Sequence, residues 1–84
     1  MDKVRVGKIS HYYPKISVAV VEIEAPLKVG DKIIIEGVNT NFEQTVSSMQ
    51  IDRTPIKEAK KGHSVGMKVD NEVKEHDVVY KEKK

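Results

Sequence analysis

The fold of this chain of 84 residues is decided between residues 27 and 36, which read Leu27-Lys28-Val29-Gly30-Asp31-Lys32-Ile33-Ile34-Ile35-Glu36. Gly30 can take a positive φ, and the Asp31 side chain can accept hydrogen bonds from nearby backbone N–H groups, so the first half predicts a tight turn. The three isoleucines that follow are β-branched and favour a strand. Residues 73–80 repeat the arrangement, with Asp77 in the place of Asp31. We therefore expect two similar turns, each leading into a strand, with both aspartates serving as turn residues.

The composition agrees with this strand-rich interpretation. Valine and isoleucine supply 21 of the 84 residues, whereas there are three alanines and one leucine. Branched side chains pack well on a pleated sheet, while a helical domain draws more on leucine and alanine. The composition therefore predicts an all-β domain.

Working outward, turn signals divide the chain into six strands. We expect a hairpin of residues 3–13 and 16–25, with a bulge at Gly7-Lys8, and in its second strand a change of face between Val20 and Val21. Further strands are predicted over 32–36, 42–52, 64–69 and 77–81. The helix-like passage 54–62, which Gly62 would end, is interpreted as one turn or an irregular loop, with Ile56 and Ala59 plugging a barrel end. These strands predict a six-stranded antiparallel closed barrel of Greek-key type, one domain over residues 1–81, and a disordered basic tail over 82–84.

Charge and length exclude several classes of protein. The formal net charge of +2 is too small to indicate a nucleic-acid binder by itself. There is no cysteine for a disulfide, a thiol nucleophile or a cysteine zinc site, and no apolar run approaches the ~20 residues that span a bilayer. No secretory signal is recognisable at the amino terminus, so we expect a cytoplasmic protein. The high lysine and glutamate content is typical of proteins from hot environments.

Two groups of residues could bind nucleic acid. The first group, His11, Tyr12, Tyr13 and Lys15, joins rings that could stack on bases to a cation for phosphate. In a regular strand, however, only one of the two tyrosines can face outward. The second group contains Arg53, Lys57, Lys60, Lys61 and His63. The alternative is that these residues cover a hairpin end and an ordinary solvated loop.

Chemistry beyond binding has little support in the sequence. His11, His63 and His76 match no metal-binding spacing, so we expect no metal and no cofactor. Ser47-Ser48 lies in a predicted strand, without the glycine elbow that exposes a nucleophile. The sequence therefore predicts a protein that is not an enzyme.

The order of these motifs carries a resemblance that covers residues 4–81. It rests on Val6-Gly7-Lys8-Ile9, Leu27 to Gly37, Val46-Ser47-Ser48-Met49-Gln50, Ala59 to Met67, and Asp77-Val78-Val79-Tyr80. The set resembles the second domain of translational GTPases, a β-barrel. It is also similar to a barrel found in collagenase-like peptidases. The resemblance implies a barrel that binds ribosomal RNA, transfer RNA or a translation-associated protein.

Three departures limit what the resemblance implies. His76 stands where the family usually has a glycine before the aspartate, which puts the shape of that turn in question. The glycine-rich phosphate loop is missing, so no nucleotide binding is expected. The catalytic portion of the peptidases is missing as well. The leading interpretation is thus a non-enzymatic barrel that binds RNA or a ribosome-associated partner, and the alternative is a protein-interaction or accessory module unrelated to RNA.

Overall fold

A computed structural model describes residues 3–38 and 40–82. It contains ten strands: β1 (Lys3–Tyr13), β2 (Val18–Ile23), β3 (Leu27–Lys28), β4 (Lys32–Glu36), β5 (Asn41–Thr45), β6 (Met49–Ile51), β7 (Thr54–Ile56), β8 (Glu58–Ala59), β9 (Ser64–Lys68) and β10 (Val78–Glu82). The described residues form strands and turns but no helix. The predicted all-β class is confirmed.

The predicted closed barrel of six strands is wrong, because the main sheet is open and has eight strands. They follow the order β5-β4-β10-β1-β2-β9-β6-β7, and β3 and β8 pair separately. The additional strands have two sources. The strand predicted over 42–52 is interrupted after Thr45 and becomes β5 and β6, and the helix-like passage contributes β7.

The open sheet nevertheless curls so that its two ends approach each other. β5 is one end of the sheet and β6 lies next to the other end, yet only residues 46–48 join them. The four steps from Thr45 to Met49 can span at most about 14 Å. The Gln44 side chain bridges this seam, since its Nε2 donates to the Lys68 carbonyl at 2.9 Å and its Oε1 accepts from the Asp70 N–H at 2.8 Å. At this seam the buried Gln44 amide thus makes the hydrogen bonds that backbone groups of paired strands would make in a closed barrel.

Two irregularities shape the long strand β1. Its register shifts between Arg5 and Gly7 against β10, next to the predicted bulge, and again between Ile9 and His11 against β2. Each extra residue changes which face the following side chains occupy. Val6, Ile9 and Tyr12, spaced three apart, therefore all pack toward the core.

The predicted change of face in the next strand does not occur. Ala19, Val21 and Ile23 alternate regularly into the core, while Val18 and Val20 remain half-buried on the outer face. β2 therefore has two apolar faces, and only one of them is covered. The buried apolar core consists of Val6, Ile9, Ala19, Val21, Ile23, Leu27, Ile33, Ile35, Val46, Met49, Ala59, Val65, Met67, Val69, Val73 and Val79.

The helix-like passage forms short strands instead of a helical turn or loop. Ile51 pairs with Thr54 across a two-residue turn of Asp52 and Arg53, whose φ angles are 50° and 66°. Positive φ at both central positions is the signature of a type I′ hairpin. Pairing in strands gives hydrogen-bond partners to backbone N–H and C=O groups that would lack them in so short a helix. Ala59 is buried as predicted, but from β8, which pairs with β3.

The carboxyl-terminal strand lies in the middle of the sheet, between β1 and β4. It includes Glu82, the first residue of the predicted tail, whereas Lys83 and Lys84 lie outside the described residues. No helix long and apolar enough to cross a membrane occurs in the described part of the chain.

Candidate interaction surfaces

Asp31 and Asp77 hold two turns of the same design. The Lys28 N–H donates to Asp31 Oδ2 and the Lys74 N–H donates to Asp77 Oδ2, each at 2.9 Å. The residue before each aspartate has a positive φ, 99° at Gly30 and 76° at His76. The turn at His76 thus keeps its shape despite the missing glycine, at the cost of placing a residue with a Cβ in the left-handed region.

The Asp77 carboxylate also fits tightly against the neighbouring hairpin. It is buried, and a Cβ on Gly37 would overlap its Oδ1 atom. The backbone around it is fixed as well, because the Ile9 N–H donates to the Asp77 carbonyl at 2.8 Å. Asp77 therefore connects its own turn with β1 and with Gly37 at the end of β4. Its carboxylate has a structural role in this packing.

The predicted aromatic and basic group is split between the two faces of the sheet. The rings of His11 and Tyr13 lie 4.6 Å apart with their planes tilted by 57°, and His11 Nδ1 lies 3.7 Å from Glu75 Oε2. Tyr12 instead is partly buried and packs against the core. Lys15 is exposed in the turn between β1 and β2. Tyr13 is the tyrosine of this pair that is available to a partner.

The second basic group lies at the surface of the turns around β7 and β8. The Lys60 N–H donates to His63 Nδ1 at 3.2 Å, and the φ of Gly62 in the same turn is 95°. The side chains of Arg53, Lys57, Lys60 and Lys61 are exposed. None of these four has a carboxylate within 4.0 Å among residues 3–38 and 40–82. Here His63 closes a turn, while the four cations remain available to a partner.

One shallow groove joins members of both predicted groups. This outer groove, of about 440 Å³, is lined by Tyr13, Ile16, Val18, Val20, Gln50, Asp52, Arg53, Ser64 and Gly66. Ile16 is 59% exposed and Tyr13 is 47% exposed, so its apolar wall is open to solvent. Sequence reasoning missed Val18 and Val20. The signal was the unbroken apolar run 18–21, which gives one strand two apolar faces.

A second and larger depression lies at one end of the sheet. This end groove, of about 770 Å³, is lined by Val4, Val6, Ala25, Pro26, Gly30, Asp31, Lys32, Lys81 and Glu82. Its charged residues are paired with one another: Lys81 Nζ lies 3.8 Å from Asp31 Oδ2, and Lys32 Nζ lies 3.8 Å from Glu82 Oε2. The end groove thus has an apolar floor, and the lysines at its rim are neutralised by neighbouring carboxylates.

The described residues contain no group of three or more His, Asp or Glu side chains that could hold a metal ion. Ser47 and Ser48 are exposed on the connection between β5 and β6 instead of lying in a strand. What the geometry offers is two grooves and a set of unpaired surface cations, and these features are suited to contact with another molecule.

Comparisons with known proteins identify peptidases. The chain is 43% identical over 79 residues to a Methanocaldococcus jannaschii protein named as an uncharacterized protease, a match that covers 93% of this chain and 19% of that protein. It is 32% identical over 82 residues to a collagenase of Porphyromonas gingivalis, covering 95% of this chain and 20% of the collagenase. The chain therefore spans about a fifth of the length of these relatives. No family model matches the sequence.

Solved structures show the same fold. The C-terminal domain of a Geobacillus thermoleovorans protein assigned to the U32 peptidases superimposes with a TM-score of 0.89 at 20% identity, covering 95% of this chain and 93% of that domain. Its selenomethionine variant superimposes with a TM-score of 0.85. The fold of this chain is thus that of the C-terminal domain of the Geobacillus protein.

These findings correct the leading interpretation of the sequence. The predicted similarity to collagenase-like peptidases is confirmed, but the predicted role in binding RNA or a ribosome-associated partner is wrong. The relatives are named as a protease and a collagenase. The comparisons favour the alternative interpretation, a protein-interaction or accessory module.

Proposed function

We propose that this chain is a non-catalytic module of the collagenase-like peptidase class, acting through contact with other polypeptides. The observation that carries the proposal is the 43% identity to a protease across 93% of the chain, in a match that spans only 19% of that protease. Four-fifths of the protease thus lies outside the match, which leaves room for a separate catalytic portion. The single unit predicted over residues 1–81 would be the module.

The surroundings of the polar side chains support a non-catalytic role. A catalytic acid or base must reach the substrate, and its acidity must suit the reaction. The buried side chains of Gln44 and Asp77 instead bond to backbone groups of the chain itself. His63 accepts a backbone hydrogen bond inside a turn. These groups are engaged in holding turns and the seam of the sheet.

The resemblance to the second domain of translational GTPases remains a prediction about the fold, and it carries no part of this functional proposal. Both resemblances lead us to expect an accessory domain beside a catalytic one. A fold does not determine the partner. The partner class proposed here, a polypeptide, rests on the peptidase relatives.

The test is a domain exchange in the Methanocaldococcus jannaschii protease. In one variant the matching segment is deleted, and in another it is replaced by this chain. We expect deletion to raise KM for fluorescent gelatin or casein with a smaller effect on kcat, because a docking module contributes to binding more than to chemistry. We expect the replacement to restore KM.

Two results would contradict the proposal. Hydrolysis of gelatin or casein by the isolated 84-residue chain would show that the segment is itself catalytic. A deletion variant that folds and keeps the KM of the intact protease on both substrates would show that the segment does not contribute to substrate binding. Circular dichroism of the deletion variant separates loss of folding from loss of function.

A further inference from the structure

We infer that the outer groove binds an extended polypeptide segment that carries a carboxylate beside an apolar side chain. This inference rests on the proposed function and names the surface and the chemistry of its partner. Two depressions compete for the role. The end groove is larger, but its lysines already face Asp31 and Glu82, so it has little charge left to offer.

The shape and the polarity of the outer groove suit a peptide. Gly66 lies between Val20 of β2 and Gln50 of β6 in register. Because Gly66 has no side chain, the surface dips between its two neighbours. Val18 and Val20 form one wall of the dip, and the exposed Tyr13 and Ile16 extend that wall. A volume of about 440 Å³ lies in the lower part of the range for ligand sites, but the groove is open to solvent and would not enclose a small molecule, so it suits a few side chains of a peptide.

The side chains around the outer groove carry an excess of positive charge. Arg53 lines the groove and has no carboxylate within 4.0 Å among the described residues. Lys68, which pairs with Val18 in register, and Lys15 in the adjoining turn have none within that part of the chain either. Asp52 is the one acidic residue of the lining. Glu22, which pairs with the lining residue Ser64 in register, is a second carboxylate beside the groove, so the cations Arg53, Lys68 and Lys15 face two carboxylates. This excess of positive charge favours an acidic ligand, and the guanidinium fork is suited to bind a carboxylate in bidentate fashion.

The backbone that borders the outer groove is locally strained. Four residues other than glycine have a positive φ in the described chain, and three of them border this groove: Ser17, Asp52 and Arg53. Such conformations cost of order 1–3 kcal/mol each and tend to concentrate where a side chain must be held in place for function. Arg53 is held at the tip of a two-residue turn, where glycine would be the favoured residue.

The experiment is a titration of the ¹⁵N-labelled chain with three short peptides that differ at one position. The peptides are acetyl-Gly-Ser-Val-Glu-Val-Ser-Gly-amide and its versions with glutamine or lysine in place of glutamate. We expect amide shifts at Val20, Gly66 and Arg53, with affinity falling from glutamate to glutamine to lysine. In Arg53→Glu we expect the glutamate peptide to lose about tenfold in affinity and the preference to shift to the lysine peptide.

Matched controls keep the inference falsifiable. Lys28→Glu makes the same charge change at an exposed position away from the groove, and we expect it to leave peptide affinity within twofold. Equal affinity for the three peptides, or shifts outside the groove, would overturn the inference. So would a single-stranded RNA oligonucleotide that perturbs these amides when the peptides do not. Failure here with a successful domain exchange would refute this surface while leaving the proposed function intact.

Discussion

At the scale of single residues, His76 occupies a backbone conformation that suits glycine. Its φ is 76°, and Gly30 takes the equivalent place, with a φ of 99°, in the matching turn. A left-handed backbone conformation costs a residue other than glycine about 1–2 kcal/mol. Replacing that residue by glycine removes this cost, but it also lowers the free energy of unfolding by about 0.4–1 kcal/mol because the unfolded chain becomes more flexible. We therefore expect His76→Gly to raise the free energy of unfolding by up to about 1 kcal/mol, measured by urea denaturation.

The matching turn supplies the reciprocal control. Gly30→His places the same side chain in the same design of turn, where a Cβ would meet nothing within 4 Å. A clash of the Cβ is therefore excluded as a cause of destabilisation. From the same two contributions, with the sign reversed, we expect a loss of up to about 1 kcal/mol. If His76→Gly destabilised the protein, the strain assigned to His76 would be disproved.

Gln44 is the second residue whose role can be isolated. Both ends of its buried amide bond to backbone groups across the seam. In Gln44→Leu the Lys68 carbonyl and the Asp70 N–H lose their partners. Because these hydrogen bonds are only part-buried, each group left unpaired costs about 1–2 kcal/mol, the lower part of the range for buried groups. We expect a total loss of roughly 2–4 kcal/mol and faster hydrogen exchange in β5.

The neighbouring Glu43 provides the control for Gln44. Its side chain is exposed and lies 3.5 Å from Lys32 Nζ in a surface ion pair. Such pairs contribute about 0–1 kcal/mol. Glu43→Gln should therefore change stability by less than Gln44→Leu does. Equal effects of the two substitutions would mean that the amide bridge does not stabilise the seam.

At the scale of elements, the β6–β7 hairpin links stability to the inferred binding. Its turn residues Asp52 and Arg53 have φ angles of 50° and 66°. Asparagine followed by glycine is the favoured pair for such a turn. We expect the double substitution Asp52→Asn, Arg53→Gly to raise the melting temperature by several degrees, equivalent to about 1 kcal/mol in a domain of this size.

The same double variant should bind the glutamate peptide more weakly, because it lacks the guanidinium. A gain of stability together with a loss of binding is the pattern expected when strain serves function. Thermal unfolding and the peptide titration measure the two effects on one sample. A variant that is less stable than the parent would contradict the assignment of a strained type I′ turn.

Sequence reasoning succeeded where local chemistry decides the element. The bounds of β1 and β4 follow from alternation and from flanking turn residues. It failed at 54–62, where Thr54, Pro55 and Gly62 imitate the signals of a short helix. The turn that makes Thr54 a strand residue is Asp52-Arg53, a pair that no turn rule favours. Pairing with β6 overrode the local signals.

The candidate surface could be predicted only in part for a related reason. Arg53 is detectable as an exposed cation in any interpretation of the sequence. The apolar wall is not, because alternation places Ile16, Val18 and Val20 on one face and Val21 and Ile23 on the other without saying which face is covered. The structure leaves Val18 and Val20 on the outer face. Which face is covered depends on the curl of the whole sheet, which alternation alone does not encode.

At the scale of the whole molecule, β10 is among the most central strands of the sheet although it follows the other nine along the sequence. β10 pairs with β1 on one side and with β4 on the other, and its Val79 is fully buried. Without it the sheet separates into two parts with new open edges. Domains of this size have a stability of roughly 4–12 kcal/mol, which is too little to survive the loss of a central strand. We expect a chain that ends at His76 to be unfolded by circular dichroism.

The missing strand can be supplied separately, and this makes the prediction sharper. A synthetic peptide of residues 77–84 should restore the β spectrum of the truncated chain in a saturable titration. The same peptide with Val79→Asp should fail, because it would bury an unpaired carboxylate in the core. A chain ending at Glu82 retains all of β10 and serves as the folded control. If the chain ending at His76 were folded by itself, β10 would not be needed to hold the two parts of the sheet together, and this prediction would be wrong.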